Sequence, residues 1–177
     1  MDVARFGSDK TALCVRKGRK ILGKVETWRN KDTMQVAGII KAKYDKVAGY
    51  ETERPLEIMV DSIGVGAGVV DRLREMGLPV RGINVAESAS IDTLYHRLRK
   101  DVTIENDEDL IEELCAIRYE YTSLGKLKAE SKDDMKKRGL PSPDLADAFC
   151  LTFANNNTVH ANSSWSKKLE YPDLYLP

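Results

Sequence analysis

Residues 56–70, Leu-Glu-Ile-Met-Val-Asp-Ser-Ile-Gly-Val-Gly-Ala-Gly-Val-Val, pass from an apolar run into a glycine-rich turn and on toward a helix. Pro55 closes off what precedes. Leu56 to Val60 reads as a short strand, and the stretch from about Val69 to Met76 reads as a helix. Val80 to Val85 is another short strand, so strand, helix and strand alternate as in an α/β fold. One charge interrupts the apolar run. Asp61 stands at the C-terminal end of its strand, the edge beyond which ligands sit in open α/β sheets. Aspartate also ties turns and caps helices, but this position favours a functional role. The glycines build no nucleotide cradle. G-x-G-x-x-G would need glycine where Val69 stands, and G-x-x-x-x-G-K-[ST] is absent from the chain.

Upstream, Met1 to Ala4 reads as an initial strand, followed by a turn at Arg5-Phe6-Gly7-Ser8-Asp9. Thr11–Val15 and Ile21–Trp28 form a hairpin whose tip carries Arg16, Lys17, Arg19 and Lys20. Asp32 is an N-cap for a helix through Met34, Val36, Ile39, Ile40, Tyr44 and Val47, ending near Gly49. Downstream, Ile91, Leu94, Tyr95 and Leu98 recur at helical spacing, and Asp107-Glu108-Asp109 opens a helix through Leu114. Residues 101–113 hold seven acidic and no basic side chains. Stabilisation of a helix N-terminus explains them better than a metal site does. A strand at Lys126–Ala129 and a short charged helix at Ser131–Lys137 follow. Ser142 as N-cap and Pro143 as first helical residue then open a final apolar helix through Phe153.

The 177 residues correspond to one domain, long enough to fold without disulfides or a structural metal. Residues 1–154 form that domain, and the polar, proline-punctuated residues 155–177 read as a flexible tail or docking segment. No apolar run spans a membrane and no leader is visible, which predicts a soluble, cytosolic chain. The net charge is zero, yet residues 1–50 carry 12 basic against 5 acidic groups, so one end could face a polyanion. Cys14, Cys115 and Cys150 sit among apolar neighbours at wide spacing and read as reduced, buried thiols. His96 and His160 match no metal-ligand spacing, and nothing local supports a Cys-His nucleophile. Any catalysis therefore falls to carboxylates.

Three acidic positions stand out. Asp61 is one. Asp147, on the last helix, is surrounded by Leu145, Ala146, Ala148, Phe149, Cys150 and Leu151, where an ionised group costs several kcal/mol without compensation. A bound cation would compensate. Asp144 lies one turn away on the same face, where the helix start favours it in any case. Asp2, in the initial strand, completes the set. Hard divalent cations prefer such oxygen ligands, and a pair of Mg²⁺ or Mn²⁺ ions about 3.5–4 Å apart drives phosphodiester hydrolysis in two-metal sites.

M-D-V-A-R-F-G-S-D-K-T (1–11), V-D-S-I-G-V-G-A-G-V-V-D-R-L (60–73) and S-K-D-D-M-K-K-R-G-L-P-S-P-D-L-A-D-A-F (131–149) together resemble the nuclease domain of the large terminase subunit of tailed bacteriophages. The resemblance runs from residue 1 to about 154. It implies an RNase H-like α/β fold, a mixed β-sheet flanked by α-helices. It also implies a metal-dependent endonuclease that cuts double-stranded DNA concatemers during genome packaging in the host cytoplasm. Carried over, Asp2 and Asp61 match the first two catalytic aspartates and Asp147 the third, with Asp144 as an additional ligand or water-positioning group. Asp9 falls in the turn, and Lys132 could approach the scissile phosphate or balance the acidic cluster. An upstream ATPase domain, the small terminase subunit and the portal are the implied partners; no ATPase motif lies in these residues. Two other readings share parts of this pattern: another RNase H-like nuclease, such as a Holliday-junction resolvase or transposase core, and a non-catalytic module binding DNA or capsid.

Overall fold

A computed structural model describes residues 1–4, 9–48, 55, 57–84, 102–121, 123 and 127–154. Its elements are β1 (Thr11–Leu13), β2 (Arg16–Lys17), β3 (Lys20–Ile21), β4 (Glu26–Trp28), α1 (Thr33–Ala48), β5 (Ile58–Asp61), α2 (Gly66–Glu75) and β6 (Val80–Ile83). They continue with α3 (Glu108–Ala116), β7 (Tyr119–Tyr121), β8 (Leu127–Ala129), α4 (Lys132–Lys137) and α5 (Asp144–Leu151).

The first two residues join separate strand pairs into one mixed sheet. β1 pairs antiparallel with β4, and β5 pairs parallel with β6 in the register Ile58↔Val80 to Asp61↔Ile83. The Met1 nitrogen donates to the Met59 carbonyl at 2.7 Å, and the Asp61 amide donates to the Met1 carbonyl at 3.1 Å. On the other side Asp2 and Ala12 exchange two backbone bonds of 3.0 and 2.9 Å in antiparallel fashion. The backbone order is therefore β4, β1, residues 1–2, β5, β6. Side chains alternate across a sheet and directly opposed residues share a face, so this order fixes where each one points. Met1 and Val60 enter the core made with Val36, Ala37 and Ile40 of α1 and Val69, Val70 and Leu73 of α2. Their successors, Asp2 and Asp61, belong to the opposite face. That face carries the second core, where Ala12, Cys14, Ile21 and Val25 meet Leu110 of α3 and Leu145, Ala148 and Phe149 of α5.

Local chemistry explains most element starts. Asp32 accepts from the Gln35 amide at 2.7 Å while the Gln35 side chain accepts from the Asp32 amide at 3.2 Å, a reciprocal cap that opens α1. Asp107 is buried, accepts from Leu110 N–H at 3.4 Å to cap α3, and ties Val25 N–H at 2.8 Å. Ser131 caps α4 through the Asp134 amide. The β2–β3 hairpin sits inside the wider β1–β4 pair, so the expected hairpin has two tiers.

Four expectations change. α2 begins at Gly66, three residues earlier than the apolar periodicity indicates, because the glycines themselves take up helix. The expected strand β8 pairs with β7, which the sequence pattern does not reveal; Tyr119 and Tyr121 are exposed and leave no burial pattern to detect. Cys115 is exposed and Cys150 half-buried rather than buried, while Cys14 is buried as expected. Ser142 does not cap α5: Pro143 occupies the N-cap position, Asp144 is the first helical residue, and the buried Ser142 hydroxyl has no hydrogen-bond partner among the described residues. The turn at 5–8, the helix through Ile91 to Leu98, His96, His160 and the tail at 155–177 lie outside the described residues. Among the described residues no helix is long and apolar enough to cross a membrane.

Candidate active site

Asp61 ends β5, and its placement follows from the turn after it. Its carboxylate accepts from the Ile63 N–H at 3.0 Å, a local bond that fixes the side chain as it leaves the strand. Gly64 takes φ +62°, a left-handed conformation that glycine adopts at no steric cost. Gly66 then presses against the strand end. A Cβ there would lie 1.7 Å from the Asp61 carbonyl oxygen, so only glycine lets α2 start this close. Gly64 thus serves the turn, and Gly66 the close approach of α2 to β5.

Asp147 and Asp144 reach the same face from α5. The Lys132 ammonium, from α4, lies 2.6 Å from Asp147 and 3.6 Å from Asp2. α4 is held in turn by Arg138, whose guanidinium grips Glu130 at 2.8 and 2.5 Å and the Ala116 carbonyl at 2.9 Å. Asp144 is only 4% exposed and accepts from the Lys10 amide at 2.6 Å, tying the helix to the residue that leads into β1.

Each of these groups also feels the charge of the others. Burial raises the Asp61 pKa; the Ile63 N–H opposes the shift and the neighbouring Asp2 adds to it. Asp144 is pushed up to about 6, chiefly by burial, against the pull of the Lys10 N–H, with Asp2 adding to the rise. Asp147 is raised by burial despite Lys132, with Asp2 and Asp61 both contributing. Burial works against the charge of Lys132, but Asp147 and Asp2 outweigh it and its pKa rises. The two partners of this pair thus shift in the same direction. A single ammonium strengthens its own charge among several carboxylates while leaving them collectively under-neutralised.

The structure therefore brings Asp2, Asp61, Asp144, Asp147 and Lys132 together. Arg16 goes elsewhere: its guanidinium bonds the Thr152 hydroxyl at 3.2 Å and carbonyl at 2.5 Å and lies 4.3 Å from the Phe153 ring centroid, at the C-terminal end of α5. Lys17, Arg19 and Lys20 remain exposed on the hairpin, Lys20 pairing with Glu105 at 3.0 Å. One participant has no signature in the sequence pattern. Glu113, within the acidic run assigned to helix stabilisation, accepts from the Leu145 and Ala146 amides at 2.8 and 3.0 Å. It does stabilise a helix start, but that of α5 rather than its own.

No family model matches the sequence, and no curated protein matches it significantly. Solved structures do. The nuclease domain of the large terminase subunit gp2 of bacterial virus Sf6 superposes with a TM-score of 0.66 at 18% identity, over 88% of this chain and 86% of that one. A lysine-to-alanine mutant of that domain, solved with manganese and beta-thujaplicinol, gives 0.65 at 18% identity over the same shares. The large terminase nuclease of thermophilic phage G20c with bound magnesium gives 0.56 at 17% identity, over 85% and 84%. The chain has the RNase H-like fold of these terminase nuclease domains. At such identity the likeness concerns the fold, and the reading of activity has to stand on the side chains.

The carboxylates suit a hard divalent cation in donor chemistry, all oxygen and in excess of the local positive charge. Among the described residues, no group of three or more His, Cys, Asp or Glu side chains is gathered closely enough to hold a metal ion. Lys132 takes the place between Asp2 and Asp147.

Proposed function

We propose that this protein is a metal-dependent endonuclease that cuts double-stranded viral DNA concatemers during genome packaging. The observation that supports it most is the Lys132 ammonium shared by Asp2 and Asp147, with Asp61 near enough to act on Asp147 electrostatically, on a terminase nuclease fold. Asp2, Asp61 and Asp147, with Asp144 beside them, are the residues that would hold Mg²⁺ or Mn²⁺, in a pair of ions. Bound there, the ions would supply activation of water and stabilisation of the leaving oxygen.

The chain's own groups have definable tasks. Asp61 and Asp2 approach from a rigid sheet, which fixes them before any ligand arrives. Asp147 faces them from a helix, paired with Lys132, and would exchange that partner for the cation. Lys132 would then be free to meet a phosphate oxygen of the DNA. Lys17, Arg19 and Lys20 would hold the duplex backbone without reading sequence. Arg16, engaged by Thr152 and Phe153, supports α5 rather than the duplex. The upstream ATPase domain, small terminase subunit and portal are the proposed partners in the host cytoplasm.

The test is nicking of supercoiled plasmid with Mg²⁺ or Mn²⁺ against EDTA, with linear duplex, hybrid and four-way junction run beside it. Metal-dependent cutting of linear duplex supports the reading. Preference for the junction would assign a resolvase, and no cutting with either ion would leave a non-catalytic binding module.

A further inference from the structure

α5, which carries Asp144 and Asp147, does not cap its own N-terminus. The first turn of a helix leaves N–H groups without intrahelical partners, and a flanking side chain usually accepts from them. Here the N-cap residue is Pro143, which has no side-chain acceptor, and the buried Ser142 hydroxyl makes no hydrogen bond among the described residues. The Leu145 and Ala146 amides instead converge on one atom, Glu113 Oε2, at 2.8 and 3.0 Å. Glu113 belongs to α3 and lies 32 and 33 residues earlier in the chain. Its negative charge meets the positive end of the α5 dipole, while Arg16 grips the Thr152 carbonyl at the other end. α5 is thus held at both ends by charges of complementary sign from other elements.

The two amides that Glu113 binds lie between Asp144 and Asp147 in sequence. Asp147 is tied to that turn by its own N–H, which donates to the Pro143 carbonyl at 2.9 Å. Any tilt or slip of the first turn therefore moves both carboxylates together relative to Asp2 and Asp61, which ride on the sheet. We infer that Glu113 is a positioning residue for the proposed metal centre: it fixes the first turn of α5 and with it the position of Asp144 and Asp147 relative to Asp2 and Asp61. It touches neither substrate nor metal and acts through the helix backbone. The inference rests on the metal-centre reading above.

A cap that serves stability alone would lower the melting temperature when removed and leave the metal affinity of the folded protein unchanged. A positioning residue does more, because metal–ligand distances tolerate only about 0.2 Å of error and supporting groups around metal sites are commonly worth 10–100-fold in affinity or rate. The test uses the full chain, with Mn²⁺ titrated calorimetrically, nicking measured at saturating Mn²⁺, and hydrogen exchange followed at the Leu145 and Ala146 amides. Glu113→Gln keeps a carbonyl oxygen for both amides, and its Mn²⁺ affinity should stay within about threefold of wild type. Glu113→Ala should lose amide protection at Leu145 and Ala146, weaken Mn²⁺ binding at least about tenfold and slow nicking by a similar factor. Should Glu113→Ala fail to fold, Glu113→Asp carries the test, since it withdraws the acceptor by one methylene; the same tenfold loss is expected. Folded Ala or Asp variants with wild-type Mn²⁺ affinity and rate, beside an active wild type, overturn the positioning role alone. A wild type that neither binds Mn²⁺ nor nicks overturns the metal-centre reading and this inference with it.

Discussion

Asp61 and Asp147 reach one cluster on supports of opposite kinds. The Asp61 side chain is fixed from within its own turn: Ile63 N–H two residues on, and Gly66 fitted under its carbonyl five residues on. Asp147 stands on a helix whose N-terminus is capped by Glu113, whose C-terminus is gripped by Arg16, and whose carboxylate is matched by Lys132, all remote in sequence. The first support is steric and depends on backbone shape. The second is electrostatic and depends on charges that three other elements deliver. The same job is therefore exposed to different injuries on the two sides.

Removing either charge should have the largest effect, with contrasting stability. Asp61→Asn keeps an oxygen for the Ile63 N–H and loses only the charge. Metal-dependent nicking should fall by on the order of 100-fold or more, beyond the usual cost of changes outside the ligand shell. The metal-free melting temperature should stay equal or rise, because burial already disfavours the ionised form. The stability gain on adding Mn²⁺, which follows RT ln(1 + [L]/Kd), should shrink. Asp147→Asn should lose nicking equally but show no rise in metal-free stability, since it gives up the 2.6 Å ion pair with Lys132. Thermal melts with and without Mn²⁺ beside a nicking assay measure both; an Asp61→Asn protein that still cuts would remove Asp61 from the site.

The steric side breaks at glycine. A Cβ on Gly66 would meet the Asp61 carbonyl oxygen at 1.7 Å, whereas one on Gly68 would meet the Thr33 methyl at an ordinary 3.7 Å. Gly66→Ala must push strand and helix apart and should cost about 2–3 kcal/mol together with nicking. Gly68→Ala, within α2, should be neutral or stabilising by up to about 1 kcal/mol, because alanine is the better helix former. Denaturant melts of the two variants decide it; equal effects would mean that the turn is not clamped against Asp61.

The same contrast explains what could be read from the chain alone. Strand, turn and helix around Asp61 follow from fifteen consecutive residues, and Asp32, Asp107 and Ser131 announce their helices because capping is local. The alternation of Met1 and Val60 with Asp2 and Asp61 places both carboxylates on one face once the strands pair. The α5 support was not legible. Ser142-Pro143 carries the local signature of a cap, yet the acceptor comes from Glu113, and nothing in the spacing of residues 101–113 says which helix start a glutamate will serve. Arg16 likewise has the look of a polyanion-binding group in a run of basic residues, and only the packing of the hairpin against α5 redirects it.

Asp144 links the two sides through pH. Its pKa is raised from 3.8 to about 6, so the folded state holds this proton more tightly than the unfolded chain does. Metal-free stability attributable to Asp144 should be greatest below pH 4, fall through the window from 4 to 6, and stay level above it, by on the order of 3 kcal/mol in all. Asp144→Asn retains an oxygen for the Lys10 amide and removes the titration. The stability difference between variant and wild type, measured by denaturant melts from pH 4 to 7 in EDTA, should grow toward pH 6 and then hold. A flat difference would mean that the buried carboxylate carries no excess charge penalty.

The smallest effect separates neighbours in the hairpin. Arg16 points its guanidinium at Thr152 and Phe153, while Lys17, Arg19 and Lys20 lie exposed just beyond it in the chain. If the tip meets DNA, replacing Lys17, Arg19 and Lys20 by Ser should weaken duplex binding and reduce the salt slope by about 0.9 for each phosphate no longer neutralised. The melting temperature should barely move, since surface changes of this kind usually stay within about 0.5 kcal/mol. Arg16→Ala should do the reverse, lowering stability by removing its hydrogen bonds to Thr152 and a cation–π interaction while leaving the salt slope unchanged. Fluorescence anisotropy on a short duplex across roughly 50–200 mM salt, paired with thermal melts, reads both quantities. An unchanged slope in the triple variant would strip the hairpin of its DNA role; a changed slope in Arg16→Ala would return that residue to the duplex and leave the C-terminal end of α5 without its charged support.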